Sequence, residues 1–258
     1  MKNTNFDFGK NWKNFSKKSL SQKKFKIAEK SLEELIGIPN IKDKSFLDIG
    51  SGSGIFSLAA KNIGAKKVIG FDISKNSVEA AYLNKERFAK NEDINFFQQS
   101  ILEKGYEKWG TFDIVYSWGV LHHTGKMWQS IINSMKFVKK DGLFVIALYN
   151  RHWSSPLWVS IKWFYNISPK FIQWMMVKIF YWIIALAKFL VTGKNPFKKK
   201  KRGMDFYHDV VDWIGGYPYE YASKKEVVSF FKKHGFELIK FIQPQVPTGC
   251  NEFIFKKI

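Results

Sequence analysis

The sequence predicts an α/β protein in which helices cover both faces of a doubly wound, mostly parallel β-sheet. Short apolar runs alternate with helical patterns along the chain, which is typical of βαβ units. A glycine-rich turn directly follows the first apolar run, where such sheets bind their ligands. With 258 residues, 45% of them hydrophobic, the chain can form one full core with a sizeable insertion.

Seven strands are predicted in total. Five come from apolar runs rich in Ile, Val, Leu and Phe, at residues 45–49, 67–71, 94–98, 112–117 and 143–148. Helices are predicted between them at residues 55–63, 75–89 and 127–138. A last helix spans residues 223–233, where Ser-Lys-Lys-Glu fits a capping box, and strands follow at residues 236–242 and 252–256.

Two regions lie outside this scheme. Residues 1–44 form an N-terminal segment with a helical pattern from residue 20 to residue 36. Residues 150–222 are inserted before the last helix and its two strands, and we expect a helical insertion that forms part of the substrate site or its lid. The main domain, residues 45–258, is therefore interrupted once.

The turn Leu-Asp-Ile-Gly-Ser-Gly-Ser-Gly, residues 47–54, places three glycines at alternate positions behind Asp48. Glycine permits positive φ and lets a ligand approach the main chain closely. The residue at the last glycine position of a dinucleotide motif is Ile55, and a carboxylate beside the turn would repel a pyrophosphate but suit a positive charge. Asp72 ends the second strand, where it can accept hydrogen bonds from both ribose hydroxyls. These features predict a nucleoside ligand with a cationic tail.

The motif D-x-G-x-G-x-G, with the acid of Phe-Asp-Ile-Ser, resembles class I methyltransferases, particularly the group that includes ubiquinone-type methylases. The resemblance covers about residues 45–148 and resumes from residue 223. It implies a Rossmann-like fold, with S-adenosylmethionine as cofactor and S-adenosylhomocysteine as product. It further implies that Asp72 holds the ribose and Ile73 lies against adenine. The other implied cofactor contacts are Asp48, Gly50, Ser51, Gly52 and Gly54 at the methionine part, Ser100 and Ile101 near adenine, and Ser117 and Trp118 beneath the cofactor.

The acceptor side is predicted from histidines, acids and aromatics. The resemblance implies that His122 and His123 lie at the mouth of the substrate side, and a purely structural role for both is the open alternative. Removing a proton from the acceptor favours a base with a pKa near the working pH, and the candidates are His123, His208 and Asp212. The residues expected to contact the acceptor are His122, Tyr149, Asn150, Arg151, Asp209 and Tyr217. No ligand spacing in the sequence indicates a metal site, so none is predicted.

Residues 208–220, His-Asp-Val-Val-Asp-Trp-Ile-Gly-Gly-Tyr-Pro-Tyr-Glu, resemble a pattern associated with a bacterial subfamily that decorates surface glycans. The alternative is a structural loop, with a turn at Tyr217-Pro218 and solvated acids.

Charge and hydropathy indicate an anionic partner. Lys and Arg outnumber Asp and Glu by 42 to 22, which gives a net charge of +20. The apolar run 171–191 is followed by six basic residues within 194–202. We expect the run to be buried, to form a homodimer contact, or to touch an anionic membrane through residues 171–202. A true span would separate the last two strands from the sheet. One cysteine and no apolar leader predict a cytoplasmic protein, with peripheral contact at the inner membrane face as an alternative.

The predicted function is O-methylation of a small or lipid-linked anionic acceptor, such as a sugar or phosphoryl precursor of a surface polysaccharide. The alternative is a quinone or lipid methyltransferase at the membrane surface. An RNA methyltransferase ranks lower, because the chain has neither an appended RNA-binding module nor an N/D-P-P-Y/F motif, so nucleic acid is not expected as a partner. A scaffold that binds the cofactor without turnover is the non-enzyme alternative.

Overall fold

The structure is a computed structural model that describes residues 6, 8, 9, 13, 14, 16, 20–90, 93–105, 107–193, 195 and 206–258. The strands are β1 (Ser45–Ile49), β2 (Lys67–Asp72), β3 (Ile94–Gln98), β4 (Phe112–Trp118), β5 (Val138–Tyr149), β6 (Phe236–Ile242) and β7 (Cys250–Lys257). The helices are α1 (Gln22–Ile36), α2 (Ile38–Ile41), α3 (Ile55–Asn62), α4 (Lys75–Phe88), α5 (Met127–Met135), α6 (Ser155–Ile167), α7 (Lys170–Thr192), α8 (Phe206–Gly215) and α9 (Lys224–Lys233).

The sheet confirms the predicted fold class. Its seven strands lie in the order β3-β2-β1-β4-β5-β7-β6, and β7 is antiparallel to both of its neighbours. The carboxyl ends of the parallel strands therefore meet at one edge, where the turns after β1, β2 and β4 come together. The order reverses between β1 and β4, and such a switch point opens a ligand crevice in α/β sheets.

Helices cover both faces of the sheet, so the central strands are buried on both sides and consist of continuous apolar runs. One face packs Leu47, Ile131 and Phe231 in a core with α5 and α9. The other face packs Phe46 and Leu58 in a core with α1 and α3. The predicted capping box at Ser223 and Glu226 is present at the start of α9.

One predicted boundary is wrong. Helix α5 ends at Met135 instead of continuing to residue 138, and β5 begins at Val138 instead of residue 143. Val138 already pairs with Phe112, and the register then shifts before β5 pairs with the rest of β4. Asp141, at φ 60°, lies within that irregular segment, and its turn-like sequence with Gly142 hides the strand pairing from a periodicity analysis.

The insertion between β5 and α9 consists of α6, α7 and α8 around a small core of their own. Tyr165, Val177, Ile184, Val210 and Ile214 are buried there. The predicted basic segment 194–202 lies outside the described residues except for Asn195.

Candidate active site

The glycine turn joins β1 to α3 at the carboxyl edge of the sheet. Gly50, Gly52 and Gly54 have φ values of 72°, 54° and 72°, which an L side chain rarely adopts. The amides of Gly50 and Ser51 both donate to the carbonyl oxygen of Phe71, at 2.8 and 2.9 Å. These two bonds fasten the turn to the end of β2.

Two of the glycines are also required by packing. A Cβ on Gly50 would lie 2.3 Å from Val120 Cγ1, and one on Gly54 would lie 2.7 Å from the ring of Phe96. The turn after β1 therefore touches the loop after β4 without any intervening side chain. A ligand bound to the glycine turn would therefore lie next to the residues of the loop after β4.

Asp48 is buried at the end of β1, and its Oδ2 accepts a 2.6 Å hydrogen bond from the hydroxyl of Ser57 on α3. This bond fixes the carboxylate at the base of the turn. A carboxylate oxygen can accept more than one hydrogen bond, so Asp48 keeps capacity toward a ligand.

Asp72 holds the turns after β1 and β2 together. Its Oδ2 accepts from the amide of Gly52 at 3.0 Å, and its Oδ1 accepts from the amide of Ser74 at 2.8 Å. Each oxygen has a second lone pair, which suits the two hydroxyls of a ribose. Beside it, 67% of the Ile73 side chain is exposed, which leaves an apolar surface where a base can stack.

The predicted adenine contacts after β3 are partly occupied by the protein itself. Ser100 Oγ accepts from the amide of Leu102 at 3.2 Å, and Asn133 Nδ2 donates to the carbonyl of Ile101 at 2.8 Å. The Ser100 hydroxyl hydrogen remains available as a donor. The Ile101 backbone can still offer its N–H group and the second lone pair of its carbonyl oxygen.

Ser117 and Trp118 end β4. Ser117 is fully buried, and its hydroxyl donates to the carbonyl of Ile49 at 3.1 Å, so it ties β4 to β1 beneath the turn. Trp118 is half-buried and packs against the core of α1 and α3. Gly119, which follows, has φ 73° and no heavy atom within 4 Å of an added Cβ.

These residues fit S-adenosylmethionine. The Ser51 hydroxyl is buried and has no hydrogen-bond partner among the described residues, so a polar ligand on the turn could supply one. Open space lies above Gly119. Asp48 and Asp72 provide the negative charge that a cationic nucleoside needs and a pyrophosphate would oppose.

A buried polar cluster lies on the acceptor side of the turn. It consists of His122, His123, Tyr149, Lys162 and Tyr219. The ring of Tyr149 lies 4.1 Å from that of His122 and 5.5 Å from that of His123. Lys162 Nζ lies 5.6 Å from the Tyr149 ring and 4.8 Å from the Tyr219 ring. Four separated parts of the chain thus bring their polar side chains to one place.

Lys162 is the unexpected member of this buried polar cluster. It projects from α6, is 0% exposed, and donates a hydrogen bond to the carbonyl of Trp213 on α8. Burial lowers the pKa of Lys162 to about 7, and the nearby charge of Asp212 opposes that shift. The ammonium group is therefore close to half-deprotonated at neutral pH. Lys162 is the only charged residue in the sequence of α6, and that isolation is the signal that could have identified it.

Both histidines are held neutral. Burial lowers the pKa of His123 to about 3, and the Lys162 charge acts in the same direction. Burial also lowers the pKa of His122 well below its usual range, with further lowering from the charges of His123 and Lys162. The Tyr149 amide donates to His122 Nδ1 at 3.3 Å, so His122 supports the end of β5.

Not every predicted acceptor residue faces this cluster. Arg151 makes a two-pronged ion pair with Glu226 at 3.0 and 2.7 Å, because the acid of the capping box lies beside it. Asn150 donates to the carbonyl of Pro247 and accepts from Asn251, so it fastens the chain after β5. Asp209 pairs with Lys188 at 3.3 Å and therefore lies against α7.

The candidates on α8 and the loop after it lie at different depths. Asp212 is close enough to Lys162 for its charge to raise the lysine pKa. His208 lies one helical turn before Asp212, on the same face of α8, and is half-buried. Tyr217 precedes Pro218 through a cis peptide bond, and its carbonyl accepts from the amide of Phe6 at 3.0 Å.

The N-terminal segment crosses the mouth of the site, which the sequence did not predict. The ring of Phe8 lies 4.7 Å from that of His123. Gly9 passes so close to Ser74 that an added Cβ would lie 1.9 Å from its hydroxyl. Lys13 pairs with Glu79 on α4 at 2.5 Å. The described residues of this segment therefore contact both His123 on the acceptor side and Ser74 after Asp72.

The described residues contain no group of three or more His, Cys, Asp or Glu that could hold a metal ion. The buried polar cluster contains an amine, two neutral imidazoles and two phenols.

The seven-stranded sheet with antiparallel β7, the glycine turn and Asp72 together define the S-adenosylmethionine-dependent methyltransferase class. A family described as a methyltransferase domain matches residues 21–240, and the chain belongs to that family.

Curated and solved proteins agree with this class. The chain is 31% identical over 109 residues to ubiquinone biosynthesis O-methyltransferase of Bartonella bacilliformis, covering 42% of each protein. It is 37% identical over 108 residues to ribosomal protein L11 methyltransferase of Staphylococcus haemolyticus, covering 41% of this chain and 32% of that protein. The matches thus span less than half the length of these relatives.

The fold resembles that of magnesium protoporphyrin IX methyltransferase from Synechocystis PCC 6803, solved with bound SAH. The TM-score is 0.59 at 14% identity, with 96% of this chain and 94% of that chain covered.

Proposed function

We propose that the protein transfers the methyl group of S-adenosylmethionine to an oxygen atom of a small or lipid-linked acceptor. The family supports methyl transfer, and the glycine turn with Asp48 and Asp72 suits this cofactor. The acceptor is proposed from the buried polar cluster, because an amine with a pKa near 7 can remove the proton of a hydroxyl.

The cofactor, when bound, supplies a methyl group on a positively charged sulfur, which is a good leaving group. The chain then has to orient the acceptor oxygen and take its proton. In its neutral form, the amine of Lys162 is the proton acceptor. Its lone pair gains the proton as the oxygen–methyl bond forms and the methyl–sulfur bond breaks.

His123 has a different role from the general base predicted for it. A group with a pKa of about 3 is a weak base at neutral pH, but it stays neutral and can accept a hydrogen bond. We assign it the positioning of the acceptor hydroxyl. Asp212 favours the charged form of Lys162 and would stabilise the proton once it has arrived.

An anionic acceptor is compatible with the net charge of +20 and with the buried lysine. A sugar or phosphoryl precursor of a surface polysaccharide is one such acceptor. A quinone or lipid at a membrane surface is the second candidate, and the exposed apolar residues of α7 favour it.

Two experiments test the proposal in sequence. Calorimetric titration with S-adenosylmethionine and S-adenosylhomocysteine, with NAD and a nucleoside triphosphate as controls, should give micromolar binding for the first pair alone. Transfer of isotope-labelled methyl groups is then compared for phosphoryl-sugar, phenolic and lipid acceptors. Failure to bind either cofactor form, or transfer to RNA alone, would reject the proposal.

A further inference from the structure

Helix α7 turns its most apolar side away from the protein. Nine apolar residues of α7 are each more than half exposed, and seven of them share one side of the helix: Phe171, Ile179, Trp182, Ile183, Leu186, Phe189 and Leu190. At 100° per residue these positions fall within about 120° of one another, so they form one stripe, called here the outer face of α7. An apolar stripe normally faces a core instead.

The inward side of α7 packs Val177 and Ile184 in the core of the insertion and also carries an ion pair. Lys188 is half-buried, pairs with Asp209 at 3.3 Å, and lies 5.3 Å from the ring of Phe206. Tyr181 packs on Phe206 at 4.9 Å. Since Val177, Ile184 and the Lys188–Asp209 ion pair already face the protein, rotation of the helix could not bury the outer face without exposing those apolar residues and breaking the ion pair.

The insertion exposes further apolar residues outside α7. Trp153, Leu157 and Trp163, before and within α6, are also exposed, with Trp153 at 84%. Large exposed apolar surfaces on folded proteins mark contact with a partner or a membrane.

The helix does not span a bilayer in this fold. Lys170–Val191 is long and apolar enough, with a mean hydropathy of 1.8, and 17% of its most apolar window is buried. However, β7 lies after the insertion and pairs with β5, which lies before it. A single span would place Cys250–Lys257 on the opposite side of the membrane from its partner strand. The helix can therefore meet a membrane only by lying along its surface.

The charge of the insertion indicates which surface it would meet. Residues 151–202 contain eleven Lys and Arg and no Asp or Glu. The same stretch holds five of the ten tryptophans, a residue enriched at membrane–water interfaces. On α7, Lys178 Nζ lies 5.6 Å from the ring of Trp174, at the border of the outer face. Apolar residues flanked by lysine and tryptophan are typical of helices that lie in an anionic interface.

We propose that the outer face of α7 docks on an anionic phospholipid bilayer, with the helix lying in the plane of the interface. A second copy of the chain is a poorer partner, because it would bring two copies of the basic stretch 151–202, which contains no acid, close together. A bilayer supplies both the apolar depth and the negative headgroups. This inference concerns binding alone and holds whether or not the proposed acceptor is correct.

The test is co-sedimentation of the full chain with vesicles, without cofactor or acceptor. The protein should pellet with mixed phosphatidylglycerol and phosphatidylcholine vesicles, and about tenfold more weakly with phosphatidylcholine alone. High salt should weaken the binding to mixed vesicles.

A matched pair of double variants locates the contact. Ile183→Glu with Leu186→Glu on the outer face should lower the affinity for mixed vesicles about tenfold or more. Leu83→Glu with Ile239→Glu adds the same charge at exposed apolar residues of α4 and β6, and should keep most of the binding. Thermal unfolding of all variants checks that the fold is retained.

Three outcomes would overturn the proposal. The parent protein could stay in the supernatant with both vesicle types. The two double variants could lose binding equally, which would mean that net charge, not the outer face, drives it. Sedimentation velocity could instead show a concentration-dependent dimer that the outer-face variant abolishes, without vesicle binding, and that result would assign the face to self-association.

Discussion

The imidazole Nδ1 of His123 donates a hydrogen bond to the carbonyl oxygen of Pro218, 2.6 Å away. A carbonyl oxygen can only accept, so the proton of the neutral ring lies on Nδ1 and Nε2 carries the free lone pair. The Tyr217-Pro218 turn therefore sets the tautomer of a side chain 95 positions earlier in the sequence.

Replacing His123 with Asn tests the roles of its two ring nitrogens separately. The Asn amide can still donate to the carbonyl of Pro218, but it offers nothing at the position of Nε2. We expect kcat to fall about 10- to 100-fold with cofactor affinity unchanged, because only the bond to the acceptor is lost. Steady-state kinetics and calorimetry measure the two quantities. His234→Asn, in the exposed turn after α9, is the control; a loss of cofactor binding in His123→Asn would contradict the positioning role.

The pH dependence of turnover should identify the proton acceptor. Because Lys162 has a pKa of about 7 and acts in its neutral form, kcat/KM of the parent should rise as the pH increases through about 7. Lys162→Met should lose most of its turnover and this rise, whereas His123→Asn should keep the rise at lower activity. Lys178→Met, on the exposed side of α7, should behave like the parent. A rise near pH 7 that survives in Lys162→Met would exclude the lysine as base.

The same lysine makes stability depend on pH. Its pKa is about 7 in the folded chain and 10.5 when the side chain is solvated, so the unfolded state binds more protons between these values. The free energy of unfolding of the parent, relative to Lys162→Met, should therefore rise as the pH increases from about 7 to about 10. Urea unfolding of both proteins at several pH values measures this difference. A constant difference across the range would show that the lysine is solvated in the folded chain.

Asp72→Ala should weaken binding of S-adenosylmethionine. The substitution removes the ribose contacts and the acceptor of the Gly52 and Ser74 amides, so we expect a loss of about 2 kcal/mol, or roughly 30-fold in Kd. Glu103→Ala removes an exposed acid after β3 and should leave Kd unchanged. Calorimetry gives both values, and equal affinity for the two variants would remove Asp72 from the cofactor site.

Substitutions at Gly50 and Gly119 allow the stability cost of backbone strain to be measured apart from the cost of overpacking. Their φ values are 72° and 73°, but only Gly50 is crowded. Gly119→Ala should cost about 1 kcal/mol of stability, from the left-handed backbone alone. Gly50→Ala should cost about 1 to 3 kcal/mol more, because its Cβ meets Val120. Urea unfolding measures both losses of stability. Equal losses would mean that the loop after β4 moves away from the new Cβ at no cost in free energy.

The strands and the glycine turn were predictable because their signals are local: each depends on a short apolar run or on adjacent glycines. The acceptor side was only partly predictable, because it depends on contacts between distant segments. Arg151 follows β5, where a side chain could contact the acceptor. Its pairing with Glu226 becomes visible only once α9 is in place. Lys162 looks like an exposed lysine until α8 covers it. The apolar run of α7 leaves burial, a homodimer contact and membrane contact open as predictions, and in the structure it buries Val177 and Ile184 while its outer face stays exposed.

The position of β7 has a consequence for biosynthesis. It is the last strand of the chain, yet it lies between β5 and β6 and forms the only pairing of β5 on that side. Until Cys250–Lys257 has left the ribosome, β5 presents an open edge that another strand could join. The insertion, with its exposed tryptophans, is synthesised before that edge can close. A chain shortened by only nine residues would therefore keep every cofactor-side motif and still behave as an aggregation-prone intermediate.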